Sequence, residues 1–283
     1  MKRKWSLRLG AAVLCAVLLG SCGSTAAAPA ESTAPADPLT GQQLLYPEQR
    51  AAAVVIENTT DSTTQWGIGS ASVVLEAAAR ADTAPSLCLV YPSVSAIPTV
   101  GPVTLGQDLF WRLLSGQQVL PIQRGCDLYT RNFLDYWNLR AVDALETGRN
   151  AFTTGNTDWA SPLWCTNGQS VAKVLGSLSL SSALSEDPAG SADSTQEGDT
   201  PAVPTVPALL PQQTDGHLPD ADVADAVQAA VQFPSGSTTR FAYDTATGTS
   251  GLLHPDGSPH LDANPGLQAA LHNLLVLSRA SPP

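Results

Sequence analysis

The sequence predicts an α/β or α+β fold: a mixed β-sheet with flanking helices, followed by a strand-rich C-terminal part. Three observations lead there. Short β-branched apolar runs alternate with helix-like stretches through the N-terminal part, and strands alternating with helices build mixed sheets. The chain beyond residue 208 reads mainly as strands and turns. Set aside residues 1–37 and 182–207 and about 220 residues remain, ample for one core.

Residues 51–56 form an apolar run ending at Glu57-Asn58, the profile of a buried strand. Trp66-Gly67-Ile68-Gly69 reads as a turn. The spacing of Val73, Val74 and Ala77 predicts a helix over 70–81. Residues 87–91 make a second strand, closed by Pro92, and 105–114 suit a short helix. Residues 118–123 suit a third strand, and Pro121 argues that it lies at a sheet edge.

Gly125 turns the chain, and Asp127 is placed to cap a helix in which Tyr129, Phe133, Tyr136 and Trp137 share one face, a spacing that favours core for those four. Asn167 caps a further helix carrying Val171, Val174, Leu175 and Leu178. In the C-terminal part 224–233 alternates imperfectly, and 238–243 with 250–254 read as a hairpin around 244–248. Residues 267–272 suit a helical turn leading to a last strand at 274–277.

The N-terminus has its own logic. Lys2, Arg3, Lys4 and Arg8 precede an apolar stretch over 9–19, and Leu19-Gly20-Ser21-Cys22 has the form of a lipobox. The expectation is a lipoprotein signal over 1–21 and acylation of Cys22, the mature N-terminus. The competing reading is an ordinary secretory signal; the apolar run falls short of the roughly 20 residues a bilayer-spanning helix needs. Residues 22–37, rich in Ala, Ser, Thr and Pro, read as a flexible tether. The domain then runs over 38–181 and 208–283. Between them 182–207 holds Glu186, Asp187, Asp193, Glu197 and Asp199 with no base, which predicts a disordered acidic insertion.

Charge narrows the partners. The chain carries 14 Lys+Arg and 25 Asp+Glu, net −11; removing residues 1–21 takes four bases and no acid, leaving net −15. Nucleic acid and anionic lipid both require clustered Lys and Arg, so neither is expected as a partner. Membrane attachment is expected through the acyl chains alone, on the extracytoplasmic face. Cys88, Cys126 and Cys165 are too few and too widely spaced for a zinc knuckle, and their surroundings favour free thiols.

Several strings recur in a characteristic order. Pro38-Leu39-Thr40-Gly41 is followed by Val54-Val55-Ile56-Glu57-Asn58, Gln65-Trp66-Gly67-Ile68 and Ala71-Ser72-Val73-Val74-Leu75-Glu76. Gly101-Pro102-Val103, Arg131-Asn132-Phe133, Phe241-Ala242-Tyr243-Asp244, Pro259-His260-Leu261-Asp262 and Asn273-Leu274-Leu275-Val276-Leu277 complete it. In this the chain resembles the YerB-like bacterial lipoproteins, membrane-anchored proteins whose biochemical role is not established. The resemblance also marks departures. That family's pattern has a glycine-rich turn ending in Thr-Arg where this chain has 77–82, and arginines where it has Thr104-Leu105-Gly106-Gln107. The resemblance further implies a divergent member, shortened at its C-terminus.

No Gly-x-Ser-x-Gly is present, so no nucleophile is expected from that motif. Glu57 and Glu76, each ending an apolar run, are candidates for an acid–base pair in one cleft; against this, Glu57 and Asn58 would simply close a strand. His254-Pro255-Asp256-Gly257-Ser258-Pro259-His260-Leu261-Asp262 is the densest polar cluster; a tight turn explains it better than a metal site, and no metal or cofactor is expected. Trp159 and Trp164 are the aromatics expected at the surface, able to stack on sugars or a partner's apolar patch. The candidate binding residues are therefore Glu57, Asn58, Glu76, Trp159, Trp164, His260 and Asp262. The leading expectation is a non-enzymatic envelope-associated binding protein with a cell-wall or envelope-protein partner. The rival is a hydrolase of peptidoglycan or its peptides.

Overall fold

A computed structural model describes residues 48–58, 64–154, 163–184, 227–254, 256–271 and 274 of the 283-residue chain. Its centre is a five-stranded mixed sheet with strand order β2-β3-β1-β4-β5. The strands are β1 (Ala52–Glu57), β2 (Val73–Ala77), β3 (Ser86–Tyr91), β4 (Leu120–Gln123) and β5 (Val142–Asp143). β3 pairs antiparallel with both β1 and β2, whereas β4 pairs parallel with β1 and with β5.

β1 is apolar from Ala52 to Ile56 because both of its faces are covered there. Ala52, Val54 and Ile56 join one core cluster and Ala53 and Val55 another, all fully buried. On the second face lie α1 (Asp108–Leu114) and α2 (Leu128–Tyr136), which contribute Phe110, Trp111, Leu114, Phe133 and Leu134. On the first lie α4 (Gly168–Leu175), through Val171, Val174 and Leu175, and the apolar side of a second sheet, through Phe241 and Leu252. That second sheet is antiparallel, order β13-β10-β9-β8, built from β8 (Gln228–Gln232), β9 (Thr238–Asp244), β10 (Thr249–Leu253) and β13 (Ala270–Leu271). Small pieces complete the chain: α3 (Ala144–Thr147), the pair β6 (Thr153–Thr154) and β7 (Trp164–Cys165), and the pair β11 (Leu261–Asp262) and β12 (Leu267–Gln268).

The α/β character, the mixed sheet and the strand-rich C-terminal part are as the sequence predicts, and both helix caps form. Asp127 accepts from Thr130 N–H at 2.8 Å and Asn167 from Ser170 N–H at 2.9 Å. Three elements differ. Residues 73–77 are strand β2, not helix: Val73 and Val74 favour a pleated surface, and a free edge of β3 receives them. β4 is interior rather than an edge. Leu120 N–H bonds Ala51 C=O on the β1 side, so the nitrogen of Pro121 faces the other side, where pairing with β5 begins only at Ile122. Residues 267–271 form β12 and β13, not a helical turn.

The first residues of the expected insertion are tied down: Gln49 and Ala183 form an antiparallel bridge, with Arg50 N–H on Ser182 C=O and Leu184 N–H on Glu48 C=O. The signal, Cys22, the tether, Trp159 and the rest of the 182–207 stretch lie outside the described residues.

Candidate functional site

Glu57 and Glu76 do not share a cleft. Directly paired residues in a sheet project to the same face, and neighbours along a strand to opposite faces. Glu76 is paired with Leu87, which is paired with Ile56; Glu57 is paired with Ser86, one position further along. Glu76 therefore projects with the Ile56 face and Glu57 with the opposite one. Glu76 is held where the two sheets meet, accepting from Asn58 Nδ2 at 2.7 Å and from Thr239 Oγ1 at 2.5 Å. Burial raises its pKa above the usual carboxylate range, and the two hydrogen bonds partly offset that.

His260 and Asp262 are also structural. Asp262 is buried and accepts from the backbone N–H groups of Gly67 at 3.0 Å, Gly69 at 2.8 Å and Asn264 at 3.0 Å. It thereby pins the 66–70 turn to the C-terminal part. Gly67 is required there: its φ is +95° and a Cβ would stand 2.6 Å from Tyr91 Oη. The buried His260 ring stacks on His254 at 4.5 Å. Desolvation, then the neighbouring His254, lowers its pKa to about 4. The turn after His254 closes through His254 N–H on Ser258 C=O and Gly257 N–H on His254 C=O. Among the described residues no group of three or more His, Cys, Asp or Glu is arranged to hold a metal.

The three thiols among the described residues are held in their protonated, weakly nucleophilic form. Cys88, Cys126 and Cys165 are free; burial raises the pKa of all three, that of Cys165 to about 11.

Trp164, Tyr129, Tyr136 and Trp137 lie opposite to expectation, whereas Phe133 is buried as expected. Trp164 packs against the core and meets Phe152 edge-on at 6.5 Å. On α2, by contrast, Tyr129, Tyr136 and Trp137 are 75%, 81% and 53% exposed, while Thr130, Phe133 and Leu134 are buried. The buried stripe of α2 is rotated about one residue from the one the aromatic spacing predicts, because Thr130 is used inward. Its hydroxyl accepts from Asp108 N–H at 2.9 Å and donates to Gly106 C=O at 3.4 Å, tying α2 to the start of α1.

Between α1 and α2 lies a groove of about 870 Å³, lined by both helices and by Ala79, Arg80, Gly106 and Gln107. Arg112 pairs with Asp108 at 2.8 Å and its guanidinium lies 4.6 Å over the Phe133 ring. Trp137 stands edge-on to Tyr136 at 5.3 Å and tilted to Phe133 at 6.4 Å. Gln107 donates from Nε2 to Ser86 Oγ at 3.0 Å; its Oε1 is buried with no partner among the described residues. Asn132 and Asp127 complete the polar lining. Nearby, Leu105, Leu109, Leu113, Leu128 and Leu145 are also exposed.

The groove thus joins flat apolar rings to planar polar groups, an arrangement for holding a ligand. Of its two carboxylates, Asp108 is committed to Arg112 and Asp127 to the α2 cap. Gln107, Arg112, Asn132, Tyr136 and Trp137 were not singled out as binding residues from sequence. The readable signal was the run Tyr129 to Trp137 itself, which has more aromatic residues than a nine-residue helix resting on one core can bury.

The comparisons with known proteins agree with this architecture. Residues 39–180 match the family described as protein of unknown function (DUF3048), N-terminal domain. The fold is similar to the crystal structure of YerB protein from Bacillus subtilis, at a TM-score of 0.64 and 19% identity, covering 83% of this chain and 72% of that one. No curated protein matches significantly. The YerB-like resemblance therefore stands, at wide divergence. Both departures noted from that family's pattern, at 77–82 and 104–107, supply groove residues: Ala79 and Arg80, Gly106 and Gln107.

Proposed function

The chain belongs to the family of the protein of unknown function (DUF3048) N-terminal domain, and from that premise we propose a lipid-anchored, extracytoplasmic binding protein that holds an envelope ligand in the α1–α2 groove. The observation that carries this reading is the groove itself. Exposed rings are costly to keep in water unless something covers them, and patches of this kind mark binding surfaces. The lipobox at Cys22 and the tether behind it support an anchored position outside the membrane. Among the described residues no helix is long and apolar enough to cross a membrane.

The rival reading, hydrolysis of peptidoglycan or its peptides, loses its main candidates. Glu57 and Glu76 project to opposite faces, Glu76 and Asp262 are spent on structural hydrogen bonds, and the His260 ring is buried and stacked on His254. Two experiments test the proposal. Cys22→Ala should release the protein from the membrane fraction or leave unprocessed precursor; processed protein that still fractionates with membranes overturns the anchor. A zymogram of purified wall should show no clearing by the native protein; clearing abolished in Glu76→Gln overturns the non-enzymatic reading.

A further inference from the structure

We propose that the α1–α2 groove takes a glycan, a short run of pyranose rings stacked on Tyr136 and Trp137 and hydrogen-bonded by Gln107, Arg112 and Asn132. The inference rests on the reading of that groove as the binding site. It begins with shape: a pyranose ring has an apolar C–H face and a polar rim. Tyr136 and Trp137 present exposed rings at 81° to each other, so their faces serve sugar rings in different orientations. The volume of about 870 Å³ falls within the roughly 300–1,000 Å³ of small-ligand sites and leaves room for more than one ring.

The polar lining supplies the second argument. It consists of planar groups, the amides of Gln107 and Asn132 and the guanidinium of Arg112, which can engage two neighbouring hydroxyls at once. Its charges balance, Arg80 and Arg112 against Asp108 and Asp127. An acidic peptide would meet both carboxylates, and a purely apolar ligand would take water from all four charged groups without adding a hydrogen bond to any of them. A ligand rich in hydroxyls, each both donor and acceptor, uses every one of them.

Gln107 provides an independent pointer. Its side chain lines the groove, is 7% exposed, and satisfies only one half of its amide, through Ser86. Exchanging the amide O and N leaves the other half unpaired, because the Ser86 hydroxyl can serve either as donor or as acceptor. A buried polar atom without a partner is destabilising, and a hydroxyl or acetamido N–H entering from the groove would supply the missing partner.

Calorimetry on the full chain carrying Cys22→Ala tests this, with three probes: N-acetylglucosamine oligomers, glucose oligomers and a wall stem peptide. At least one oligosaccharide should bind saturably, and the two sugars distinguish an amino-sugar from a neutral polysaccharide source. Trp137→Ala and Asn132→Ala, both at exposed positions, should each weaken that binding at least fivefold with the melting temperature unchanged. The glycan assignment is overturned if neither sugar binds by millimolar concentration. Stem peptide bound instead of sugar, and lost in Trp137→Ala, overturns the glycan while keeping the groove. Sugar binding untouched by both variants overturns the groove as well.

Discussion

The two faces of the five-stranded sheet are finished in opposite ways. On the face shared with the C-terminal sheet, polar side chains connect distant parts of the chain: Asp262 holds Gly67 and Gly69, and Thr239 reaches Glu76. On the other face, two short helices bury Phe110, Trp111, Phe133 and Leu134 inward and leave Tyr129, Tyr136 and Trp137 outward. The lesson concerns polar clusters. The residues that look most chemical in sequence, Glu76, His260 and Asp262, are the ones the fold consumes, while the proposed binding surface is built from rings that look like core.

The comparison makes the two faces respond differently to substitution. Asp262→Ala strips the acceptor from three backbone N–H groups and should cost about 3–4 kcal/mol, lowering the melting temperature by roughly 10 °C. Calorimetric unfolding checks this, and a loss below about 1 kcal/mol breaks the structural reading of that face.

Acidification should act next, through His260. A histidine whose folded pKa lies near 4, below its unfolded value, contributes stability that is complete above about pH 6.5 and is lost as pH falls toward 4. The expected loss is at most about 3 kcal/mol, and a His260→Asn variant should not show it. Glu76 has the opposite sign. Its raised pKa means the ionised form is penalised in the folded state, so it contributes stability below the usual carboxylate range and loses it as pH rises. Glu76→Gln keeps an acceptor for Asn58 and Thr239, so at pH 7 it should unfold at equal or up to about 1 kcal/mol higher stability. Urea titrations of wild type and both variants at pH 4.5 and 7 separate the two contributions.

The smallest effect belongs to the groove face. Tyr136→Ala and Trp137→Ala remove exposed rings and should change stability by less than about 0.5 kcal/mol. A larger loss would mean that these rings are packed, and would erase the contrast between the faces.

Much of the fold was legible because its signals are local. The unbroken run in β1, the Asp127 and Asn167 caps and the β9–β10 hairpin each follow from a handful of neighbouring residues. The elements that were not legible depend on partners far away in sequence. Residues 73–77 become strand because β3 offers an edge, and Pro121 is tolerated inside the sheet because β5 starts one residue later. The site was less legible still. Which ring of α2 faces water depends on Thr130 turning inward to Gly106 and Asp108, a tertiary contact that helical spacing does not encode. Glu57 and Glu76 were separable only by register, since one position along β3 puts them on opposite faces.

The central claim, that ligand is held on the helix face and not at the polar cluster, is tested most directly by amide and indole NMR of the full Cys22→Ala chain titrated with solubilised cell-wall fragments. Saturable shifts confined to Gly106, Gln107, Arg112, Asn132 and the Trp137 indole, with Glu76, Thr239, His260 and Asp262 unmoved, are the result this account predicts. Shifts centred on Glu76, Thr239 and the 254–262 turn, with the Trp137 indole unmoved, would contradict it.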